Sequence, residues 1–295
     1  MSWNDIGDAL WGGLPYYGDI LALVSNSLWA GAILGLVGGL IGIFVMQRDM
    51  AFAVHGISEL SFAGAAAALL IGADVVTGSI VGSVIAAAII GLLGARARDR
   101  NSIIGVLMPF GLGLGILFLS LYSGRSANRF SLLTGQIVSV ESKQLTWLIV
   151  IAAVVLIGLL LIWRPLRFDS LDPQSAAARG VPTTFVSLVF MLLLGLIVAV
   201  SVHIIGALLV MALVVTPAAA AMRIATGPIA VPVLAATFGV VSAVGGILLA
   251  VAGTLPVSPY ITTISFLIYL VCRVVGGRRG RVRRVRAQDP PVLAG

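Results

Sequence analysis

The sequence predicts an all-α, polytopic integral membrane protein with about eight or nine transmembrane helices. Of its 295 residues, 60% are hydrophobic and only 10% are charged, whereas about 25% of the residues of a soluble domain are charged. The mean hydropathy is +1.14, and apolar stretches of roughly 20 residues, the length that crosses a bilayer as a helix, recur along the chain. This composition leaves too little polar surface to cover soluble domains of the same length.

Hydropathy places nine candidate spans in the chain. They lie at residues 27–46, 50–71, 75–94, 102–123, 144–163, 183–201, 204–222, 228–252 and 258–275. We expect a transmembrane domain at 27–275, preceded by an extracytoplasmic or interfacial lead-in at 1–26 and followed by a basic cytoplasmic tail at 276–295. The segment 124–143 is predicted to be a short outer loop or helix.

Arginines concentrate on alternate connections between the spans. With the N-terminus outside, the outer connections hold only Arg125, Arg129 and Lys143 as basic residues. The inner connections and the C-terminal end of the chain hold the other arginines. Because cytoplasmic loops are enriched in Lys and Arg, this pattern favours N-out, C-in. The net charge of +7 is therefore interpreted as orienting the helices and contacting anionic lipid, and not as binding nucleic acid.

The second span contains two ionisable residues, His55 and Glu59, in the stretch MAFAVHGISELSFAG that begins at Met50. Residues four apart lie on one helix face, with about 5–6 Å between their Cβ atoms. An imidazole nitrogen and a carboxylate oxygen are suitable ligands for a divalent transition ion, and a homodimer would present the pair twice. A His–Glu hydrogen bond that only neutralises the two groups and packs the helix would explain the pair equally well.

The inner connection 164–181 is predicted to contain a short helix. Its start, body and end are indicated by Asp172, Pro173, Ala176, Ala178 and Gly180. Aspartate is a favoured N-cap, proline suits the first helical position, and glycine commonly follows the last one. Such a helix could be bound by a soluble partner, or it could simply lie on the membrane surface.

Other features are less specific. Pro217 lies inside the seventh span and predicts a kink, either in a moving part or in a static one. His203 lies at an outer boundary, where a histidine reaches water easily, and is expected to be structural. The sequence contains no G-x-x-x-x-G-K-[ST] phosphate loop, H-E-x-x-H pair or G-x-S-x-G elbow, so we expect neither ATP binding by this chain nor hydrolase activity.

Four blocks of the chain, in this order, resemble the membrane permease subunits of the metal-importing ABC transporters, which serve zinc, manganese and iron. The blocks are GLIGIFVMQRDMAFAVHGISELSFAG, LLTGQIVSV, RPLRFDSLDPQSAAARGVP and VHIIGALLVMALVVTPAAAA. The resemblance covers most of the chain. It implies a permease dimer, usually of two identical copies, in the bacterial cytoplasmic membrane, with a cytoplasmic ATPase dimer below it and an extracytoplasmic metal-binding protein outside.

The resemblance also implies roles for particular residues. The helix at 172–180 matches the coupling helix that docks into the ATPase. Pro217 is a candidate gating residue because of the kink described above, and not because of the resemblance. Family members usually carry Asp and then His, four residues apart, where this chain has His55 and Glu59, so the two ligand types are kept in exchanged order. We therefore expect an ATP-driven importer of zinc first and manganese second, with ATP bound only by the partner and no permanently bound cofactor.

Two other functions remain open from the residues. The main alternative is a stand-alone, proton-coupled secondary transporter in which His55 and Glu59 form a proton relay. The absence of a recognisable internal repeat counts against it. An intramembrane enzyme using Glu59 with His55 would also need a nucleophile or a metal with more protein ligands.

Overall fold

The computed structural model describes residues 23–93, 97–123, 140–252 and 256–288, and their side chains except at 97–100, 208 and 278–288. These residues form ten helices and no strand, which confirms the all-α prediction. The helices are α1 (Ser25–Gln47), α2 (Ala51–Leu70), α3 (Val75–Leu93), α4 (Ala97–Leu121), α5 (Ser142–Leu171), α6 (Pro173–Ala178), α7 (Thr183–Ile205), α8 (Ala207–Ile224), α9 (Ala230–Val251) and α10 (Val257–Gln288).

Two predicted segments fall largely outside the described residues. Of the lead-in at 1–26 only its last four residues are described, and of the segment 124–143 only its last four as well. The predicted tail at 276–295 begins within α10, which continues as a helix to Gln288.

Eight helices of the described chain are long and apolar enough to cross a membrane, namely α1 to α5, α7, α9 and α10. They correspond to eight of the nine predicted spans, so the chain is a multi-pass membrane protein. The ninth predicted span, 204–222, corresponds to α8, which has 18 residues. At 1.5 Å per residue α8 is about 27 Å long, close to the thickness of a bilayer core.

The corner between α7 and α8 consists of a single residue. Gly206 separates Ile205 from Ala207 and has φ 84° and ψ 153°. A side chain disfavours this positive φ, whereas glycine adopts it readily. The chain can therefore reverse direction between two apolar helices without a longer loop.

Helix α5 is longer than predicted and shortens the connection that follows it. The prediction ended this span at residue 163 and treated 164–181 as a connection, but α5 continues through Pro165 to Leu171. Leu166 is fully buried and Asp169 is 5% exposed. Packing of these two residues against the rest of the chain stabilises the extra turns, which local sequence preference alone would not favour.

Helix α2 has a central position in the structure. It packs closely on α3 and α4 and also contacts α7 and α8. A second group forms around α1, which packs on α8 and α9, with α10 beside them. Close approach of these backbones depends on small residues, since a Cβ at Gly39 would overlap the carbonyl oxygen of Ala235 on α9.

Polar contacts join the ends of neighbouring helices at two places in the structure, each of which we call a rim. At one rim Asn26 Nδ2 donates to the carbonyl oxygen of Val140 at 3.3 Å, and His203 Nε2 lies 3.1 Å from Gln144 Nε2. These contacts join the starts of α1 and α5 and the end of α7. At the other rim, Arg48 joins the end of α1 to α5 and α7. We call these the His203 rim and the Arg48 rim.

Candidate functional site

The structure brings His55 and Glu59 together in the first half of α2. His55 Nε2 and Glu59 Oε1 are 3.5 Å apart, as their spacing on one helix face predicts. Hydrogen bonds to nitrogen usually measure about 2.7–3.2 Å between heavy atoms. The two groups are therefore in contact, but they do not form a tight hydrogen bond with each other.

The two side chains differ in exposure. Only 6% of the Glu59 side chain is exposed, compared with 27% of the His55 side chain. Helix α4 covers the glutamate closely, because Gly111 packs on its backbone and a Cβ there would lie 3.0 Å from the Glu59 carbonyl carbon. The carboxylate is thus held within the helix bundle, and the imidazole forms its more accessible edge.

Buried hydroxyl groups fix α2 against its neighbours beside this pair. Ser61 and Ser79 have their Oγ atoms 2.7 Å apart, and Ser79 Oγ donates to the carbonyl oxygen of Ala199 on α7 at 2.9 Å. Ser58 Oγ donates to the carbonyl oxygen of His55 at 2.8 Å. These bonds satisfy polar atoms at bilayer depth, where unpaired groups are costly, and they hold α2, α3 and α7 in register.

Within the described residues, no three or more His, Cys, Asp or Glu side chains lie close enough together to hold a metal ion. The pair on α2 therefore offers two side-chain ligands per chain. Any further ligand would come from water, a main-chain carbonyl or a second copy of the chain. Cys272 lies in an apolar groove between α8, α9 and α10 and does not contribute.

The predicted helix in the inner connection is confirmed, with the caps that the sequence indicates. Asp172 is its N-cap and accepts a hydrogen bond from the main-chain N–H of Ser175 at 3.0 Å, and Pro173 is the first helical residue. Gly180 has φ 80°. The main-chain N–H of Val181 donates to the carbonyl oxygen of Ala176 at 3.0 Å, which completes a Schellman C-cap.

This short helix has one buried and one exposed side. Ala176 is fully buried against the chain's own helices, whereas Gln174, Ala177 and Ala178 are exposed. Hydrogen bonds from the hydroxyl and the main-chain N–H of Ser175 lower the pKa of the Asp172 carboxyl below its ordinary value of 3.8. The cap is therefore fully charged at neutral pH and weakens only as the pH falls through that lowered value.

Pro217 lies inside α8, which continues on both sides of it. Proline cannot donate to the carbonyl four residues earlier, that of Leu213. Helix α1 approaches here, since a Cβ at Gly38 would lie 3.3 Å from the Leu213 carbonyl oxygen. The weakened turn of α8 is therefore packed against α1, and its role in gating stays a prediction.

Sequence reasoning missed the buried contact of Arg48 with Asp169, Ser170 and Ser187. It assigned Arg48 only to orientation in the membrane. The residues that meet are separated by at least 121 positions, so no local pattern pairs them. His203 was expected to be structural, and its contact with Gln144 at the rim agrees with that expectation.

The fold and the site together define an all-helical membrane protein with an ionisable pair in a central helix and a capped helix between two spans. The model of the ABC 3 transport family matches residues 21–276. The chain belongs to this family.

Similar proteins support the same assignment. The manganese transport system membrane protein MntC of Halalkalibacterium halodurans is 32% identical over 225 residues, which are 76% of this chain and 77% of that protein. The manganese import system permease protein ScaB of Streptococcus parasanguinis is 25% identical over 84% of this chain and 89% of its own length. A chain in the solved structure of PsaBC from Streptococcus pneumoniae in complex with Fab matches with a TM-score of 0.78 and 26% identity, over 88% of this chain and 95% of that one.

Proposed function

We propose that this chain is the permease subunit of an ATP-driven importer of a divalent transition metal ion. The observation that carries the proposal is the pairing of His55 and Glu59 in the centre of the bundle of a chain from an ABC transport family. Ionisable residues inside a membrane are costly, and they usually mark the path of an ion or substrate.

The separation of the two ligand atoms suits a shared ion. Two atoms that lie about 2.1 Å from a zinc ion at a tetrahedral angle are roughly 3.4 Å apart, and the observed distance between His55 Nε2 and Glu59 Oε1 is 3.5 Å. Within the described residues the pair supplies two ligands per chain, and we expect binding by so few ligands to be weak enough for release, as conduction requires. The ion is cargo in transit, and no cofactor stays bound.

The proposed assembly contains two copies of this chain in the bacterial cytoplasmic membrane. A cytoplasmic ATPase dimer, which alone binds ATP, docks on the exposed side of α6 near Gln174 and Ala178. A metal-binding protein delivers the ion from outside. The caps at Asp172 and Gly180 support this role, because they keep α6 folded without a partner.

Manganese is the first cargo to test and zinc the second. The sequence and its family resemblance led us to expect zinc first, but the two curated relatives described above carry manganese in their names. A carboxylate suits manganese, and an imidazole suits zinc and other transition ions. Glu59 and His55 therefore admit both ions.

The test is metal uptake into proteoliposomes that contain this chain, its ATPase and its metal-binding protein. We expect uptake of manganese or zinc that requires ATP. Glu59→Gln and His55→Ala should each abolish most of it without loss of assembly. Glu141→Gln, the same chemical change at the exposed start of α5, is the matched control. Full uptake by both site variants would exclude the site.

A proton-coupled transporter is the second candidate. The observation in its favour is that, among the described residues, no third metal ligand accompanies His55 and Glu59. In that case uptake would follow a proton gradient in liposomes that hold this chain alone, and ATP would have no effect. The same preparation, with and without the ATPase, separates the two functions.

A further inference from the structure

We propose that Arg48 is a positioning residue that transmits movement of α6 to α2, the helix that carries His55 and Glu59. The inference rests on the proposed ATP-driven function, in which α6 is the part moved by the ATPase. It assigns to a buried arginine a role in coupling, separate from any contact with the ion.

The Arg48 guanidinium contacts both helices that flank α6. Its Nε donates to Ser170 Oγ at 2.9 Å, and one terminal nitrogen pairs with the Asp169 carboxylate. The other terminal nitrogen donates to Ser187 Oγ at 3.1 Å on α7. The guanidinium carbon also lies 5.7 Å from the centre of the Phe190 ring, within the range of a cation–π contact.

These partners lie immediately on either side of α6 in the chain. Asp169 and Ser170 belong to the last turn of α5, just before the N-cap residue Asp172. Ser187 belongs to the first turns of α7, just after the connection that follows α6. A displacement of α6 must therefore move the groups that hold the Arg48 side chain.

The main chain of Arg48 leads directly into α2. Asp49 has φ 53°, an uncommon conformation for a residue with a side chain. The main-chain N–H of Met50 donates to the carbonyl oxygen of Val45 at 2.8 Å, and α2 begins at the next residue. Because this corner is tight, a movement of the Arg48 main chain is passed on to the start of α2. His55 lies within the first two helical turns of α2.

The Arg48 contact lies beside a cavity and a buried hydrogen-bond acceptor, which are what a second position of the guanidinium would need. A cavity of about 510 Å³ borders it, lined in part by Gln47, Asn101 and Thr184. Gln47 Oε1 is buried without a hydrogen-bond partner in the part of the chain that the structure describes. Gln47 and Arg48 line the same cavity, so this oxygen is a candidate acceptor for a guanidinium that leaves Asp169, and the inference requires such a second state of the corner.

The test compares transport with ATP hydrolysis in the reconstituted complex of permease, ATPase and metal-binding protein. The main variants are Arg48→Lys, which keeps the charge but loses the three-pronged contact, and Asp169→Asn, which keeps the shape. We expect ATP hydrolysis close to that of the unaltered complex, with about tenfold less metal carried per ATP, as for a typical coupling free energy. The matched control is Arg223→Gln, an exposed arginine in the last turn of α8, which should leave this ratio unchanged.

Ser187→Ala serves if the charged-group variants do not assemble, because it removes one hydrogen bond and leaves the ion pair intact. It should lower the same ratio about threefold or more, within the range by which single residues modulate coupling. An unchanged ratio, or a parallel fall in uptake and hydrolysis, would overturn the inference. Absence of ATP-dependent uptake by the unaltered chain would instead overturn the proposed function, and this inference with it.

Discussion

The Glu59 side chain is 6% exposed and α4 packs on its main chain, whereas the His55 imidazole keeps an accessible edge. An ion that approaches from the exposed side would therefore meet the imidazole first and the carboxylate deeper in the bundle. Residues four apart share one helix face in either order, so exchanging the two residues keeps the same two groups together. The exchange also moves the carboxylate to the more exposed position and the imidazole to the more buried one.

The first prediction follows from this spacing. The double variant His55→Glu with Glu59→His keeps one imidazole and one carboxylate, and we expect it to retain most metal uptake. The single variant His55→Glu places two carboxylates side by side in a largely buried position, where like charges disfavour each other. It should lose uptake by a factor of about ten or more, which corresponds to a rise of about 1.4 kcal/mol or more in the barrier to transport.

Uptake by the three proteins in identical liposomes is the measurement. Equal loss in the single and the double variants would show that the position of each ligand matters, and not only the set of ligands. The His55→Glu chain should still assemble with its partners, since the change keeps the side chain polar and near the accessible edge of the site.

At the scale of helices, backbone contact determines how α1 is placed. A Cβ at Gly42 would overlap the carbonyl oxygen of Val214 on α8, three residues before Pro217. A carbonyl of the main chain cannot turn aside as the end of a flexible side chain can. The helices must separate to admit a methyl group.

We therefore expect Gly42→Ala to lower stability by about 1–3 kcal/mol or more, as overpacking commonly does. The matched control is Gly105→Ala in α4, where nothing lies within 4 Å of the added Cβ. That change should be neutral or slightly stabilising, because alanine favours helix over glycine. Thermal unfolding in detergent, followed by size-exclusion chromatography, compares the two, and similar melting temperatures would contradict this account of the packing.

Helix α6 gives a prediction that separates capping from charge. Asp172→Ala removes the acceptor for the Ser175 N–H, so α6 should fray and bind the ATPase more weakly. Asp172→Asn keeps an acceptor of the same shape and should bind nearly as well, because asparagine caps as effectively as aspartate. Affinity of the ATPase for permease in detergent is the measurement, and equal weakening by both changes would assign the effect to the charge.

The elements also show what the sequence could and could not predict. The caps of α6 are local, so Asp172 and Gly180 indicated its bounds directly. The extension of α5 through Pro165 depends on burial of Leu166 and Asp169 by distant residues, which no window of sequence contains. The pairing of His55 with Glu59 was predictable from spacing, whereas the contact of Arg48 with Ser187, across 139 positions, needed the fold.

At the scale of the whole molecule, the number of membrane crossings between two connections determines whether those connections lie on the same side of the membrane. Residue 73, between α2 and α3, and residue 174, on α6, are separated by α3, α4 and α5. An odd number of crossings places them on opposite sides. The arginine pattern predicts that the side of residue 174 faces the cytoplasm.

Because Cys272 is the only cysteine, a Cys272→Ala chain offers a background for topology measurements with single introduced cysteines. Ala73→Cys, Gln174→Cys and Thr226→Cys place a thiol at exposed positions between the long helices. In cells that express this chain without its ATPase, we expect a membrane-impermeant maleimide added from outside to label only Ala73→Cys, and the other two to react after permeabilisation. Labelling of Gln174→Cys in intact cells would reverse the predicted orientation.

Thr226→Cys also decides whether α8 crosses the membrane. This position follows α8, so it lies on the same side as residue 174 only if both α7 and α8 cross. With 18 residues, α8 is just long enough to do so, and the one-residue corner at Gly206 reverses the chain directly into it. Labelling of Thr226→Cys from outside would mean that α8 enters the bilayer and returns, and that the chain has eight crossings with both ends on one side.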